Sequence, residues 1–318
     1  MKKILVLGAN GQLGKEVVRL FSLEDKSKYE CLAPAESDAD ITNFERLLRI
    51  AKDFMPDAIV NCAAYTNVDK AESEPEKAHY INVFGTENIA RCALATRSLL
   101  IHISTDYVYD GKFNDKSIGF SHMKHERHEK PLNVYGLTKL NGEKAIEEKM
   151  LEISPNDYFI LRTSGVYGVY GNHFLKKLES ALEADKDKHF TLIADQRYCP
   201  TSARQLARQI KALVDMSYDD RIYVIGRVGN ILNTANLTYE SPYLFFEKYL
   251  LLQKKYDLVD RISPISFDDY FKAHPSTARR PKDCPLDIEL NRILGICYLT
   301  GTIPALEEYI IAKNELES

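Results

Sequence analysis

Two hydrophobic rhythms alternate along this chain. Short unbroken apolar runs, such as Ile4-Leu5-Val6-Leu7, Ala58-Ile59-Val60 and Leu99-Leu100-Ile101, have the length and continuity of parallel strands buried on both faces. Between the runs, apolar residues recur at three- and four-residue spacing, as in Val17, Val18, Leu20 and Phe21, which is the period of an amphipathic helix. The pattern predicts strands over 4–7, 29–35, 57–64, 99–104, 158–163 and 221–225, and helices over 43–54, 76–96, 173–184, 202–214 and 239–255. Strand and helix in strict alternation predict an α/β protein with a doubly wound parallel sheet.

The first strand runs directly into Gly8-Ala9-Asn10-Gly11-Gln12-Leu13-Gly14 and then into a helical pattern. Three glycines serve separate needs there: Gly8, Gly11 and Gly14 allow a tight turn, close approach of a pyrophosphate and close packing of helix on strand. The N–H groups and positive dipole end of the helix then face the phosphates. This βα turn predicts a Rossmann-type NAD(P)-binding domain over 1–164, with 165–318 forming mainly a smaller C-terminal substrate-binding domain interleaved with elements that return to the sheet. Substrate-binding parts are expected from 165–189 and 260–318.

Glu36 lies 22 residues past Gly14, where the turn after the second strand offers a side chain to the adenosine ribose. A carboxylate accepts hydrogen bonds from ribose hydroxyls and repels a 2′-phosphate, and no Arg or Lys lies between Pro34 and Asn43. The cofactor is therefore NADH or NADPH, with the sequence leaning toward NADH. Asp40 and Ile41 are placed to flank adenine, or equally to signal the start of the next helix. After the third strand, Thr66, Asp69 and Lys70 stand in a loop at its carboxyl end and are candidates for substrate or cofactor contact; surface salt-bridging is the plain alternative for Asp69 and Lys70.

Composition narrows the partners. With 42 basic and 46 acidic residues and a net charge of −4, the chain lacks the basic excess of nucleic-acid or anionic-membrane binders. No apolar run reaches membrane-spanning length and no signal-peptide pattern opens the chain, so a cytoplasmic monomer or homodimer acting on small molecules is expected. Six scattered cysteines show no metal-ligand spacing and read as reduced thiols. His122, His125 and His128 fall in a polar, poorly periodic stretch, where a solvated loop is the reading and no metal is expected.

The chemistry gathers at Tyr135-Gly136-Leu137-Thr138-Lys139. Residues four apart share a helix face. A tyrosine titrating near ~10 is a poor proton shuttle at neutral pH, and the ammonium of Lys139, helped by an oxidised nicotinamide ring, is expected to bring Tyr135 toward working pH.

The glycine turn, the strand end Ser104-Thr105-Asp106-Tyr107 and Tyr135-x-x-x-Lys139, in that order, resemble the extended short-chain dehydrogenase/reductases. Longer strings are similar to the dTDP-4-dehydrorhamnose reductases: Ala63-Ala64-Tyr65-Thr66-Asn67-Val68-Asp69-Lys70-Ala71-Glu72, Ser104-Thr105-Asp106-Tyr107-Val108-Tyr109-Asp110-Gly111, Leu161-Arg162-Thr163-Ser164 and Ala278-Arg279-Arg280-Pro281. The resemblance implies that Tyr135 donates a proton, that Lys139 binds the nicotinamide ribose and that Thr105 hydrogen-bonds the reacting oxygen. It further implies that Gly11, Gln12 and Leu13 touch the pyrophosphate, that Ala64, Tyr65 and Thr66 line the rest of the cofactor, and that Thr105, Asp106 and Arg280 belong with a nucleotide-sugar substrate. The reaction implied is reduction of a nucleotide-linked 4-keto-6-deoxyhexose, with dTDP-L-rhamnose as the expected product. Where the family has a tryptophan at the nucleotide, this chain has Gly165 and no tryptophan anywhere; the expectation is an opened pocket, with Tyr167, Tyr170, His173 or Phe174 stacking on the base instead, the alternative being a turn glycine. Two other readings are a dinucleotide-binding regulatory subunit similar to the methionine adenosyltransferase β subunit, and a nucleotide-sugar dehydratase or epimerase. Dehydratases of this superfamily carry Thr-Asp-Glu where this chain has Thr105-Asp106-Tyr107.

Overall fold

The computed structural model describes residues 1–25, 27–112, 129–288, 291–292 and 294–317. His122, His125 and His128 lie outside the described residues. A central sheet joins β1 (Lys2–Leu7), β2 (Tyr29–Leu32), β3 (Ala58–Asn61), β4 (Leu99–Thr105), β5 (Tyr158–Thr163) and β9 (Ile231–Asn233) in the order β2-β1-β3-β4-β5-β9. Every pairing in it is parallel. The order reverses at β1, which opens a crevice beyond the carboxyl ends of β1 and β3. Outside the sheet, β6 (Val166–Tyr167) pairs with β8 (Thr201–Ser202), and β7 (Phe190–Ile193) with β10 (Ile262–Ile265).

The two-residue period of a strand explains why the runs are apolar without a break. Ile4 and Val6 of β1 face one layer, with Val60, Ile101 and Phe159, under α1 (Gln12–Leu23) and the returning helices α8 (Ala203–Asp215) and α9 (Tyr218–Val228). Leu5 and Leu7 face the other, with Ile59, Leu100 and Ile160, under α2 (Phe44–Phe54) and α5 (Thr86–Thr96). Successive side chains thus enter opposite layers, and both are dry. A separate core forms from Tyr167, Leu175, Phe245, Phe246, Tyr249 and Tyr309, contributed by β6, α7 (Phe174–Ala184), α10 (Pro242–Leu252) and the C-terminal helix Thr302–Glu317. Among the described residues, no helix is long and apolar enough to cross a membrane.

Two expected elements came out differently. The stretch 221–225 is helical, inside α9. Ser217 caps it by accepting from the Asp220 N–H, and Asp219 and Asp220 stand in its first turn, where carboxylates favour the positive dipole end. Val224, Ile225 and Val228 are its buried residues, so the apolar run was one face of a helix. Gly229, at φ 81, ends it, and the strand that completes the sheet follows as β9. The helix expected over 76–96 is broken into α4 (Pro75–His79), a π-turn Tyr80–Gly85 and α5, preceded by a short α3 (Val68–Ser73). Asn82 in the π-turn accepts from the Tyr65 N–H at 2.8 Å and donates to Tyr65 O at 3.1 Å and Thr138 Oγ1 at 2.9 Å. Such π-turns concentrate at functional sites, and this one ties the loop after β3 to α6 (Val134–Met150).

Candidate active site

Two cavities, of about 910 and 750 Å³, meet at Gly165, Val166 and Phe174, which line both. The larger lies over the crevice beyond β1 and β3. Its floor is the glycine turn. Gly8 sits at φ 72, and a Cβ there would lie 2.5 Å from the Ala63 nitrogen; a Cβ on Gly14 would lie 2.2 Å from Gly8 O. Gly14 therefore packs α1 onto the end of β1 and does not line the cavity, while Gly8, Gly11, Gln12 and Leu13 do. No side chain caps the first N–H groups of α1, which leaves them for an anion. This cradle fits a dinucleotide pyrophosphate. Gly171, at φ 80, brings its backbone over Gln12 from the other side.

From the turn after β2 and the approach to α2, Glu36, Asp40, Ile41 and Thr42 line the same cavity. Asp40 Oδ1 accepts from the Thr42 N–H and Oγ1 at 2.9 and 2.8 Å, and Ile41 is buried against Gly85. Lys77 and Tyr80, from α4 and the π-turn, also line the cavity, so a basic side chain reaches it from a part of the chain remote from Glu36. Ala64 and Thr66 line the cavity beside Cys62 and Ala63. Tyr65 does not: its hydroxyl donates to Glu74 Oε2 at 3.0 Å. Lys70 pairs with the same Glu74 at 2.9 Å and lines neither cavity, which is the surface salt bridge weighed above for it.

Into the larger cavity, β4 delivers Ser104 and Thr105, and α6 delivers Tyr135 and Lys139, while Asp106 and Tyr107, next in the chain, line the second. Asn133 caps α6 by accepting from the Gly136 N–H at 2.7 Å. A Cβ on Gly136 would lie 2.2 Å from Tyr107 O, so only glycine lets the helix start press against the turn after β4. That contact brings Tyr135 to Thr105. Burial pushes the Tyr135 hydroxyl up to about 12, opposed by its hydrogen bond with Thr105. Burial lowers Lys139 to about 8, opposed by the Glu143 and Cys62 charges. Burial is the largest influence on the Tyr135 hydroxyl here. Lys139 Nζ is turned toward His102 Nε2, at 3.1 Å, and Tyr135 is protonated at neutral pH.

The second cavity holds Asp69, Asp106, Tyr107, Ser164, Tyr198, Tyr270, Phe271 and Arg280. Burial raises Asp106 to about 6, opposed by hydrogen bonds from Ser164, at 2.6 Å, and Thr105, at 3.1 Å. Arg280 holds Asp69 with both Nη atoms, at 3.0 and 2.9 Å. Burial alone would raise the Asp69 carboxyl, but Arg280 and the Ala278 N–H hold it below its ordinary value. The sequence brought Asp69, Asp106 and Arg280 forward separately; the fold gathers them in one chamber.

Gly165 is not an opening. It sits at φ 48, and a Cβ there would lie 2.4 Å from the Tyr198 ring, so the tyrosine already occupies the space and the backbone demands glycine. Of the proposed substitutes, Tyr167 is buried in the second core, Tyr170 lies under Lys15 with 5.6 Å from Nζ to its ring, and His173 and Phe174 line the larger cavity. Tyr270 stacked on His274, with centroids 4.4 Å apart, and Phe271 line the second; these aromatics were missed because their stretch shows no rhythm that marks a site. Gly165→Ala is expected to lower stability by about 1–2 kcal/mol through the left-handed backbone alone, with Gly165→Trp costing more through the clash. Chemical denaturation of both variants checks this; a tryptophan variant as stable as the parent would show that Tyr198 moves aside freely.

The parallel sheet with its crevice, the glycine turn and the Thr105, Tyr135 and Lys139 constellation together define an extended short-chain dehydrogenase/reductase. Comparison with known proteins narrows this. The RmlD substrate binding domain family matches residues 1–312, and the chain belongs to that family. A dTDP-4-dehydrorhamnose reductase of Aggregatibacter actinomycetemcomitans is 33% identical over 298 residues, 93% of this chain and 94% of its own. The solved structure of a dTDP-4-dehydrorhamnose reductase from Bacillus anthracis, in complex with NADP, superposes with a TM-score of 0.82 at 28% identity, covering 98% of this chain and all of its own. One from Clostridium acetobutylicum superposes with a TM-score of 0.82 at 27% identity, covering 99% of this chain and all of its own.

Proposed function

We propose that this chain reduces the C-4 carbonyl of a nucleotide-linked 4-keto-6-deoxyhexose with NADH or NADPH, dTDP-4-dehydrorhamnose being the favoured substrate and dTDP-L-rhamnose the product. The observation that carries it is Tyr135, protonated and hydrogen-bonded to Thr105 in the wall of a dinucleotide-sized cradle, with Asp106 and Tyr107, the residues after Thr105, lining the adjoining second chamber. Gly8, Gly11, Gln12, Leu13, Ala64 and Thr66 would hold the dinucleotide, with Lys139 at its ribose. When bound in reduced form it supplies a hydride to the carbonyl carbon. Tyr135 gives its proton to the carbonyl oxygen, so that ketone becomes alcohol. Thr105 orients the phenol and the oxygen together, while Asp106 and Arg280 hold the sugar nucleotide from the second chamber. Supplying dTDP-, UDP- and GDP-linked 4-keto-6-deoxy sugars with either cofactor, and following absorbance of the reduced nicotinamide, tests this. No oxidation with any of them would sink it.

Glu36 supports NADH serving at least as well as NADPH, because its carboxylate repels a 2′-phosphate. Glu36→Arg is expected to raise the NADPH-to-NADH ratio of kcat/KM by about tenfold, on the scale of one gained charge-assisted hydrogen bond. Initial rates with both cofactors measure it. A strong NADPH preference in the parent protein would assign the 2′-phosphate to another base, and Lys77 is a basic side chain that lines the cavity.

A further inference from the structure

Lys139 meets a buried polar chain that the reductase reading leaves unused. The Ala63 N–H donates to Asn61 Oδ1 at 3.0 Å. An N–H can only donate, so this bond fixes which way the Asn61 amide points. Asn61 Nδ2 then faces His102 Nδ1 at 2.9 Å, and His102 Nε2 faces Lys139 Nζ at 3.1 Å. Asn61, His102 and Lys139 are 1%, 0% and 2% exposed, so a donor or acceptor left without a partner there is costly.

Proton counting leaves one neutral arrangement. The amide N–H occupies the lone pair of Nδ1, so the single proton of a neutral imidazole is on Nε2. That proton points at Nζ. An ammonium there would set two donors against each other, whereas a neutral amine accepts. We propose that His102 is a positioning residue that, oriented by Asn61, donates from Nε2 to Lys139 Nζ and holds the lysine as a neutral amine until it takes up a proton. Hydrogen bonding to the neutral form of a group disfavours its charged form, in the same direction as burial. The other titratable groups about Lys139 are Cys62 from the end of β3, and Tyr135 and Glu143 from its own helix. Of these, Glu143 and Cys62 favour the ammonium. The consequence, which rests on the reductase reading, is that Lys139 exchanges a proton near neutral pH, as replacing the one that Tyr135 gives up requires.

The test is read on the whole protein without any sugar. Nitrogen-15 spectra of the histidines report the tautomer, and the Cε signal of Lys139, identified with Lys139→Arg, reports its titration. In the parent, His102 is expected to carry its proton on Nε2 at pH 9, above the Lys139 midpoint. Asn61→Asp places an acceptor opposite Nδ1, which should move the proton to Nδ1, turn Nε2 into an acceptor and strengthen the Lys139 ammonium by about tenfold or more in its acid constant. His102→Gln offers an oxygen to Asn61 and an N–H to Nζ, and should leave that constant within about threefold. A proton on Nδ1 in the parent would overturn the proposal, and this holds even if a variant fails to fold. A raised Lys139 midpoint in Asn61→Asp with the proton still on Nε2 would also overturn it, since the effect would then be Coulombic. Absence of any sugar reduction would leave these spectra unchanged, so the two readings fail separately.

Discussion

Tyr135→Phe is expected to lower turnover by about 10²- to 10⁴-fold, the range that a positioned general acid contributes, while cofactor affinity stays within a few fold. The phenol is the proposed proton donor in the wall of the larger cavity, and burial keeps it protonated. The substitution removes one oxygen from a packed site and leaves the ring, which meets Tyr107 edge-on with centroids 6.0 Å apart. Because hydride and proton reach opposite ends of one carbonyl, losing the acid leaves an alkoxide with Thr105 alone to stabilise it. Stopped-flow measurement of nicotinamide oxidation, beside fluorescence titration of the reduced cofactor, separates the two quantities. Turnover within threefold of the parent would place the acid elsewhere.

The second large effect is on stability. Arg162, near the end of β5, and Glu143, on α6, have side chains 3% and 1% exposed and form an ion pair. Arg162 Nε reaches both Glu143 oxygens at 3.0 and 3.2 Å, Nη1 donates to Tyr109 Oη at 2.8 Å, and Nη2 donates to Glu129 at 2.8 Å. Glu143 also accepts from Ser104 Oγ, at the cavity wall. Removing one member leaves the other as a buried charge, so Glu143→Ala or Arg162→Ala should each cost about 3–5 kcal/mol. Combining the two alanine substitutions should cost less than the sum of the singles, because only Glu129, 11% exposed, is then left without its partner. Denaturant unfolding of the four proteins, read as a double-mutant cycle, decides it. Single losses under about 1 kcal/mol would mean that water reaches the pair.

The glycine turn, the buried strands and the Tyr-x-x-x-Lys spacing were legible because each is written in consecutive residues: a strand or a helix face is a local period, and a βα turn is a local string. Where local signals conflicted, tertiary packing decided. The run 221–225 suits a strand as well as a helix, and only the Ser217 cap and the place of α9 against the sheet resolve it. Tyr65 and Lys70 stand in a string shared with the family, yet Glu74 draws both side chains away from the cavities. Gly165 reads as a missing ring until Tyr198, 33 residues further on, is seen in the same space.

Chemistry divides along the same line. Residue types and order determined by themselves that a dinucleotide cradle precedes a tyrosine and a lysine on one helix face, since turn geometry and helical period need no distant partner. Protonation they did not determine. The sequence made Lys139 the neighbour that lowers Tyr135; the fold buries both and brings His102, two residues before Ser104 on β4, against the lysine. A polar residue in the middle of an apolar run was the signal available for His102, as was Asn61 at the end of another. A pKa depends on burial and on which groups lie within a few ångströms, and those distances come from how β3, β4 and α6 stack, which no local stretch encodes.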